Sequence, residues 1–374
     1  MLPYYLLMAF PMLAYGVTFL IFKNKPFSKK LSMACFFGAL FMVLAWRNIT
    51  VGIDLPGYQY YFYKIHATPW FDLGNAAEIE FGYVVLNKII SDITANYFIF
   101  LAVVALITVL PVAFVFVNNA EHPDVSIVLF MNMSTFALMF SGLRQAIAIS
   151  LGVLAYHFLT KKKPWLSAII ILLALTFHTS AFLLVLMFPL YYIKIGKKLM
   201  LFAVAPVYLL TLIFNKQILS LLINLLPEKY ANYAIESTGA YTMILVFAAF
   251  LLYASVVPDE GKLTRELSAL RNFLLLALGV QLFAPVNTVA MRFNYYYIIF
   301  IPLLLPKVME SARDSLLVPV RLGKKSFKIG FSNMKLWVNI SRIVIVVFFA
   351  AYFFFDAYTG DDILKIFPYE PCWI

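Results

Sequence analysis

Arg144 is the only charged residue in an apolar stretch that runs from residue 125 to residue 160. An arginine at the centre of a membrane-spanning helix costs about 2.5–3.5 kcal/mol on insertion scales. Arg47, in VLAWRN, and Arg292, in NTVAMRFNYYY, also lie beside apolar stretches, and His178 lies in TFHTS between two more. Because the planar guanidinium group matches phosphate oxygens bidentately, a pyrophosphate is the natural ligand for such arginines.

The elements that must position these groups are membrane-spanning helices. The chain is 63% hydrophobic and only 13% charged, whereas soluble domains carry about 25% charged residues. Apolar runs long enough to cross a bilayer recur from end to end. We therefore predict an all-α polytopic integral membrane protein, a single membrane domain over residues 1–374. About 12 transmembrane helices are expected (10–14), near 3–22, 31–49, 96–117, 125–141, 143–160, 165–177, 179–193, 199–214, 240–257, 271–289, 293–308 and 336–356.

The net charge of +11 is distributed unevenly over the predicted loops. Twelve crossings place the Lys- and Arg-rich loops on one side, which is cytoplasmic by the positive-inside rule. This distribution indicates a membrane protein and no nucleic-acid partner. Both termini then face outward, and the first apolar run is a retained helix. The basic loops are 23–30, 118–124, 161–164, 194–198, 258–270 and 309–335.

The predicted spans 165–177 and 179–193 are short for about 30 Å of hydrocarbon. A single helix over both would leave Lys194, Lys197 and Lys198 on the outer side and would reverse the charge bias of every later loop. We therefore predict a bent pair that turns at the outer face around TFHTS.

This arrangement brings Arg47, Arg144, Arg292 and His178 to the outer membrane boundary, where basic residues are otherwise scarce. One alternative is that each arginine extends to the outer headgroups, as long basic side chains near helix ends commonly do. Three arginines that all run against the positive-inside bias favour an anion-binding site instead.

A large extracytoplasmic loop is predicted over residues 48–95. It contains Asp54 in a turn, an aromatic cluster that includes Tyr58, and the carboxylates Glu78 and Glu80. Aromatic faces beside carboxylates and amides are typical of sugar sites, although an interfacial aromatic belt is the alternative for the aromatics alone. The segment FGYVVLNKIISDI has the pattern of an amphipathic helix at the membrane surface. Glu78 and Glu80 would diverge on a helix, so a metal pair is not favoured.

Several of these segments together resemble the EpsG family of membrane polysaccharide polymerases, relatives of the Wzy-type O-antigen polymerases. The segments that carry the resemblance are WRNITVGIDLPGYQYY, EIEFGYVVLNKII, LRQAIAISL and FHTSAFLLV, with RFNYYY and FPYEPCWI fitting more loosely. The resemblance covers residues 40–195 well and the rest by hydropathy. In GIDLPGY the small hydroxyl residues that the family more often has beside the aspartate are absent, which leaves the role of Asp54 open.

The resemblance implies a GT-C-like glycosyltransferase in the bacterial cytoplasmic (inner) membrane. Its substrate would be an oligosaccharide linked through pyrophosphate to a polyprenyl lipid, and the growing chain would move from its carrier onto the next repeat unit. The lipid bilayer and other polysaccharide assembly proteins are the further partners. We expect no cofactor and no metal ion.

The expected residue roles follow from this chemistry. Arg144 and Arg292 would clamp the pyrophosphate, with Arg47 in support, because preorganised cations stabilise the charge that builds on the leaving oxygen. Asp54 is the first candidate for general base and His178 the second, since a base must reach the acceptor hydroxyl.

Glu80 and Tyr58 are the candidate sugar-binding residues. Both come from the predicted extracytoplasmic loop, where the Glu80 carboxylate would orient sugar hydroxyls and the Tyr58 ring would contact a sugar face.

Two other functions remain open. A flippase for the same lipid-linked sugars would need charged residues near the middle of several spans, along a path. An O-antigen ligase would pass the finished chain to a different acceptor, and residue chemistry alone does not separate it from a polymerase. A purely structural membrane protein would leave the outer arginines without a role.

Overall fold

The computed structural model describes the chain except for residues 120, 197–198, 201–203, 225–240, 259–263, 288, 323–324 and 374. Parts of the predicted loops 194–198 and 258–270 and of the predicted spans 199–214 and 240–257 therefore lie outside the described residues. Where it is described, the chain is mostly helical. It falls into two compact units, one of residues 1–185 with 346–374 and one of residues 186–345. This division into compact units does not test the prediction of one membrane domain, which stays a prediction.

The first unit contains nine helices up to residue 177 in the described chain. They are α1 (Leu2–Phe22), α2 (Lys25–Ala45), α3 (Leu55–Ala67), α4 (Phe81–Ile93), α5 (Tyr97–Asn119), α6 (Pro123–Asn132), α7 (Ser134–Ser141), α8 (Leu143–Thr160) and α9 (Pro164–Phe177). Short 3₁₀ helices cover Trp70–Asn75 and Thr179–Leu186. The last helix of the chain, Met334–Thr359, begins in the second unit and ends in the first.

The second unit contains helices Met187–Tyr192, Ala205–Ile213, Asn215–Asn224, Thr242–Val256, Arg265–Gln281, Val289–Ile298 and Ile301–Glu310. It also contains an antiparallel hairpin of β1 (Leu316–Leu322) and β2 (Lys325–Phe331), in which Leu316 pairs with Phe331. The hairpin lies in the predicted basic loop 309–335, and the mostly helical described chain is consistent with the predicted all-α membrane protein. The hairpin sequence, LLVPVRLGKKSFKIGF, contains β-branched and aromatic residues on both sides of a glycine, which is a hairpin pattern.

Five helices of the described chain are long and apolar enough to cross a membrane: α1, α2, α5, α8 and the helix Met334–Thr359. A sixth crossing is possible through α6 and α7, which are bent by 59° at a break after Asn132. The Asn132 side chain donates to the carbonyls of Val128 and Phe349 at this break. These helices, with the shorter apolar helices Pro164–Phe177, Thr179–Tyr192 and Thr242–Val256, make the chain a membrane protein by length and composition.

The predicted bend at TFHTS is confirmed as a helix break. Helix α9 ends at Phe177, His178 has extended backbone angles, and a 3₁₀ helix follows. Helix α9 has 14 residues, or about 21 Å at 1.5 Å per residue. The 3₁₀ helix that follows has 8 residues, or about 16 Å at about 2.0 Å per residue.

Contacts within the first unit show which segments lie at the same end of its helices. Lys29 and Glu121 form an ion pair with a 2.9 Å N–O distance, which brings the start of α2 and the end of α5 together. At the opposite end, the Ser141 hydroxyl donates to Asp54 and the Tyr97 hydroxyl donates to the Leu55 carbonyl. We call this second end the site end, because it carries Asp54, Glu80, Arg144 and His178.

Candidate active site at the site end of the first unit

Glu80 connects three groups from two later segments of the chain. Its carboxylate accepts hydrogen bonds from Arg144 Nη1, from His178 Nδ1 at 2.9 Å and from the Thr179 backbone N–H at 3.1 Å. The Glu80 side chain is 12% exposed, and those of Arg144 and His178 are 26% and 24% exposed. The network is therefore largely shielded from bulk water, while Arg144 and His178 each keep about a quarter of their side-chain surface exposed.

A glycine allows this close approach. Glu80 precedes the first residue of α4, and His178 follows the last residue of α9. A Cβ atom on Gly82 would lie 2.7 Å from the Thr176 carbonyl oxygen and would also collide with the Thr176 hydroxyl. Only a residue without a side chain lets the start of α4 come this near to the end of α9. The Glu-x-Gly segment therefore positions the carboxylate against the histidine.

The protonation state of Glu80 follows from its contacts. Burial alone would raise the pKa of Glu80, but the hydrogen bond from His178, the charge of Arg144 and the Thr179 N–H together lower it to about 2. An ionised carboxylate only accepts hydrogen bonds, so Nδ1 of His178 carries the proton that they share. In the neutral ring Nε2 then has a free lone pair. No described residue bonds to Nε2.

Arg144 lies in the first turn of α8 and is held from one side. Its Nε is 3.4 Å from the Tyr58 hydroxyl, and its guanidinium carbon is 5.9 Å from the Tyr58 ring centroid. Tyr58 is 7% exposed and packs on Tyr83 with ring centroids 5.5 Å apart. Within the described part of the chain, Nη2 of Arg144 donates to no acceptor. Tyr58 and Glu80 thus fix the guanidinium through Nε and Nη1, and Nη2 is left to bind a ligand.

Asp54 lies beside the same helices, on the loop that follows α2. Its Oδ2 accepts a hydrogen bond from the Ser141 hydroxyl at 2.9 Å, and it precedes the first residue of α3. Gly52 has a φ of 125°, and a Cβ there would collide with the Phe140 backbone. The Gly-x-Asp spacing therefore brings the loop against the end of α7. Asp54 is exposed, in contrast to the shielded Glu80.

Arg47 differs from its predicted setting. It follows the end of α2 instead of ending the helix, and it is 1% exposed. Its Nη1 donates to the Leu44 carbonyl, and its guanidinium carbon lies 5.7 Å from the Phe140 ring centroid. Among the described residues it forms no ion pair. Burial closes this guanidinium off from an external ligand, and its supporting role toward pyrophosphate stays a prediction.

Arg292 lies in the second unit, in the helix Val289–Ile298, and is exposed. Its joint action with Arg144 therefore stays a prediction. No group of three or more His, Cys, Asp or Glu side chains suited to a metal ion occurs among the described residues. Metal independence also stays a prediction.

The sequence predicted most members of this site but not which of them contact one another. Glu80 was predicted as one of several loop carboxylates, whereas the structure places Glu80 between Arg144 and His178. The glycine two residues after Glu80 was the available signal of a close approach. Ser141 was missed, because a single serine at the end of an apolar helix carries no distinctive pattern.

No curated protein and no solved structure matches the chain. The family model described as the EpsG family matches residues 30–370, and this range includes every residue of the site. Because the match covers nearly the whole chain, the protein belongs to the EpsG family, a family of Wzy-type polymerase-like proteins.

Proposed function

We propose that the protein polymerises polyprenyl-pyrophosphate-linked oligosaccharide repeat units into a surface polysaccharide, at the outer face of the bacterial cytoplasmic membrane. Membership in the EpsG family supports a polymerase-like role in polysaccharide biosynthesis. The observation that carries the proposal is the contact of Arg144 and His178 with one carboxylate, Glu80. A GT-C-like architecture with about 12 membrane helices is part of the proposal, and the long and short apolar helices support it.

The proposed reaction is a glycosyl transfer. An acceptor hydroxyl oxygen on the incoming repeat unit attacks the anomeric carbon of the lipid-linked chain. The bond between that carbon and the pyrophosphate oxygen breaks, and polyprenyl pyrophosphate leaves with the electron pair. The hydroxyl proton passes to a base. The site must therefore bind an anion whose charge grows and must hold a proton acceptor near it.

Arg144 is the residue best suited to the anion. Tyr58 and Glu80 hold its Nε and Nη1, and its remaining N–H groups have no acceptor among the described residues. Such a fixed guanidinium needs little reorganisation when charge develops on the leaving oxygen. Arg292 and Arg47 are secondary candidates, and the burial of Arg47 makes it the weaker of the two.

His178 is the better-supported general base. The Nδ1–H of His178 donates to the ionised Glu80 carboxylate with an N–O distance of 2.9 Å, which leaves Nε2 of His178 as the proton acceptor. A carboxylate that fixes the tautomer and orientation of an imidazole is a recurring arrangement for bases. We accordingly place His178 ahead of Asp54. Asp54 is exposed and hydrogen-bonded to Ser141, which suits it to orient a sugar hydroxyl.

Glu80 and Tyr58 receive positioning roles in this proposal. Glu80 makes its hydrogen bonds within the protein, and Tyr58 is buried beside Arg144, so both serve the groups that contact the substrate. Sugar rings would contact the exposed aromatics of the same loop, among them Tyr60, Tyr63 and Trp70.

Deletion of the gene followed by glycan profiling tests the function. A lost polymerase leaves single repeat units on the lipid or on its acceptor, and complementation with the wild-type gene restores long chains. Complementation with His178→Ala should fail at normal protein levels. A deletion strain that carries no surface glycan at all would instead indicate a flippase or a ligase.

A further inference from the structure

The C-terminal segment of the chain lies along the loop that leads to Asp54. We define the tail as residues 362–372 and the Asp54 loop as residues 46–54. The Asn48 N–H donates to the Glu370 carbonyl at 2.8 Å, and the Cys372 N–H donates to the Trp46 carbonyl at 2.7 Å. Together these bonds flank an antiparallel bridge between Arg47 and Pro371.

The pairing continues toward the site. The Gly52 N–H donates to the Lys365 carbonyl at 2.8 Å, and the Ile53 N–H donates to the Leu364 carbonyl at 2.9 Å. These donors are the two residues immediately before Asp54. The tail therefore supplies acceptors at both ends of the Asp54 loop.

Side chains add to the backbone contacts. The Thr50 hydroxyl donates to the Glu370 carboxylate at 2.6 Å, and the Tyr369 hydroxyl donates to the Val43 carbonyl at 3.0 Å. The Tyr4 hydroxyl donates to the Ile366 carbonyl. The tail is thus bound to the Asp54 loop, to the end of α2 and to the start of α1.

The tail also has internal order. Both oxygens of the Asp362 carboxylate accept backbone N–H groups, from Ile366 at 3.0 Å and from Phe367 at 2.6 Å. Ile366 is buried, and the Phe367 ring packs edge-on against Tyr4 with centroids 4.9 Å apart. The tail is therefore held both by hydrogen bonds within itself and by packing against α1.

The Asp54 loop depends on these contacts. Residues 46–53 form no helix, and among the described residues they form a β-bridge only with the tail. Without the tail, the backbone N–H groups of Asn48, Gly52 and Ile53 would lose their acceptors, and each would need a new one. The loop residue that forms the bridge to Pro371, Arg47, is itself buried.

From these contacts we infer that the tail is a fixed part of the site, which positions Asp54 against Ser141. Its effect on catalysis rests on the proposed function, whereas its effect on the geometry of the Asp54 loop does not. The inference also requires that the N-terminus, the Asp54 loop and the tail lie on the same side of the membrane.

Two cysteine pairs test the geometry without any assay of activity. Trp46 and Cys372 lie opposite each other across the antiparallel bridge, and Cα atoms in such positions are about 4.5–5.5 Å apart, which suits a disulfide. In a Cys35→Ala chain, Trp46→Cys should form a disulfide with Cys372 under mild oxidation. Met42→Cys, one helical turn earlier, is the matched control and should not. Failure of the Trp46→Cys chain to cross-link would overturn the docking of the tail.

The second pair tests positioning. Asp54→Cys with Ser141→Cys, in a chain with Cys35→Ala and Cys372→Ser, should cross-link readily because the native side chains are in hydrogen-bond contact. The same pair should cross-link several-fold more slowly when the chain ends at Gly360. Addition of a synthetic peptide of residues 361–374 should restore the rate. An unchanged rate in the truncated chain would overturn the inference.

Polymer formation gives the remaining test. Glu370→Ala should reduce the amount of polymer about fivefold, as expected when about 1 kcal/mol of hydrogen bonding is lost. Glu370→Gln, which keeps an acceptor for Thr50, should make most of the wild-type amount.

The oxidised Trp46→Cys chain should stay active, because a fixed tail has no need to move. Loss of activity on oxidation, reversed by reduction, would show a moving lid and contradict a fixed tail. If the wild-type protein makes no polymer, the proposed function fails while the two cysteine pairs still decide the inference.

Discussion

Replacement of Glu80 by glutamine separates the charge of the central carboxylate from its shape. Glutamine keeps the size of the side chain and one carbonyl oxygen, but its amide nitrogen is a donor. In the native site every neighbour of the carboxylate is a donor: Arg144 Nη1, His178 Nδ1 and the Thr179 N–H. At least one donor must therefore lose its acceptor in Glu80→Gln, and Arg144 loses its counter-charge.

The size of the effect follows from the pKa of Glu80. A pKa that falls from 4.5 to about 2 corresponds to about 3 kcal/mol of preferential interaction with the ionised form. We expect Glu80→Gln to lower the free energy of unfolding at neutral pH by less than this amount, because its partners Arg144 and His178 are partly exposed and solvent screens their charges. We also expect it to slow polymerisation by about 100-fold, because His178 loses its fixed tautomer and Arg144 its fixed position.

The loss of stability in Glu80→Gln should depend on pH. Because the pKa of Glu80 is lower in the folded protein, its contribution to folding stability is complete above about pH 4.5 and is lost as the pH falls toward 2. The difference in thermal stability between wild type and Glu80→Gln, measured in detergent, should therefore shrink over this range. Glu78→Gln is the matched control, since Glu78 is exposed and has no hydrogen bond or ion pair with the described residues. If the two variants behave alike at every pH, the reasoning about the central carboxylate is wrong.

Four further predictions follow. Arg144→Ala should abolish most polymerisation in a folded, inserted protein and Arg144→Lys should restore only part of it, whereas near-normal turnover by both in vitro would make Arg144 a membrane anchor. Gly82→Ala should reduce both thermal stability and turnover because its Cβ would collide with the Thr176 backbone, and unchanged values would exclude that close contact. In a chain without native cysteines, Gly74→Cys should react with an impermeant reagent in intact cells and Ser326→Cys only after lysis, and the opposite pattern would place the site on the cytoplasmic side. Turnover by the purified protein should survive EDTA, and a loss that one divalent ion reverses would refute metal independence.

The parts of the fold set by local pattern were predictable from the sequence. The length of one apolar segment predicted α8 over residues 143–160, and the periodicity of FGYVVLNKIISDI predicted the amphipathic helix α4. The structure confirms both helices with the same bounds. The break at His178 was predictable from loop charges, because a continuous helix would have reversed the charge bias of the later loops. The break after Asn132 had no proline or glycine to signal it, and it depends on a contact with Phe349, 217 residues later.

The site was predictable in its members more than in its contacts. Residue type and membrane position indicated Arg144, His178 and Glu80. Their assembly depends on the close approach of α4 and α9, which a single glycine makes possible and no periodicity reveals. Arg47 pairs with Pro371 in the tail, and pairing between segments more than 300 residues apart leaves no local signal.

The most direct test of the account is turnover by the purified protein in lipid vesicles that contain only its lipid-linked repeat unit. We predict a ladder of longer lipid-linked chains, with one polyprenyl pyrophosphate released for each new glycosidic bond. Arg144→Ala and His178→Ala proteins at equal amounts should give little or none of either product. Movement of the lipid-linked unit across the bilayer without a new bond, or bond formation only when a different acceptor is added, would contradict the central claim.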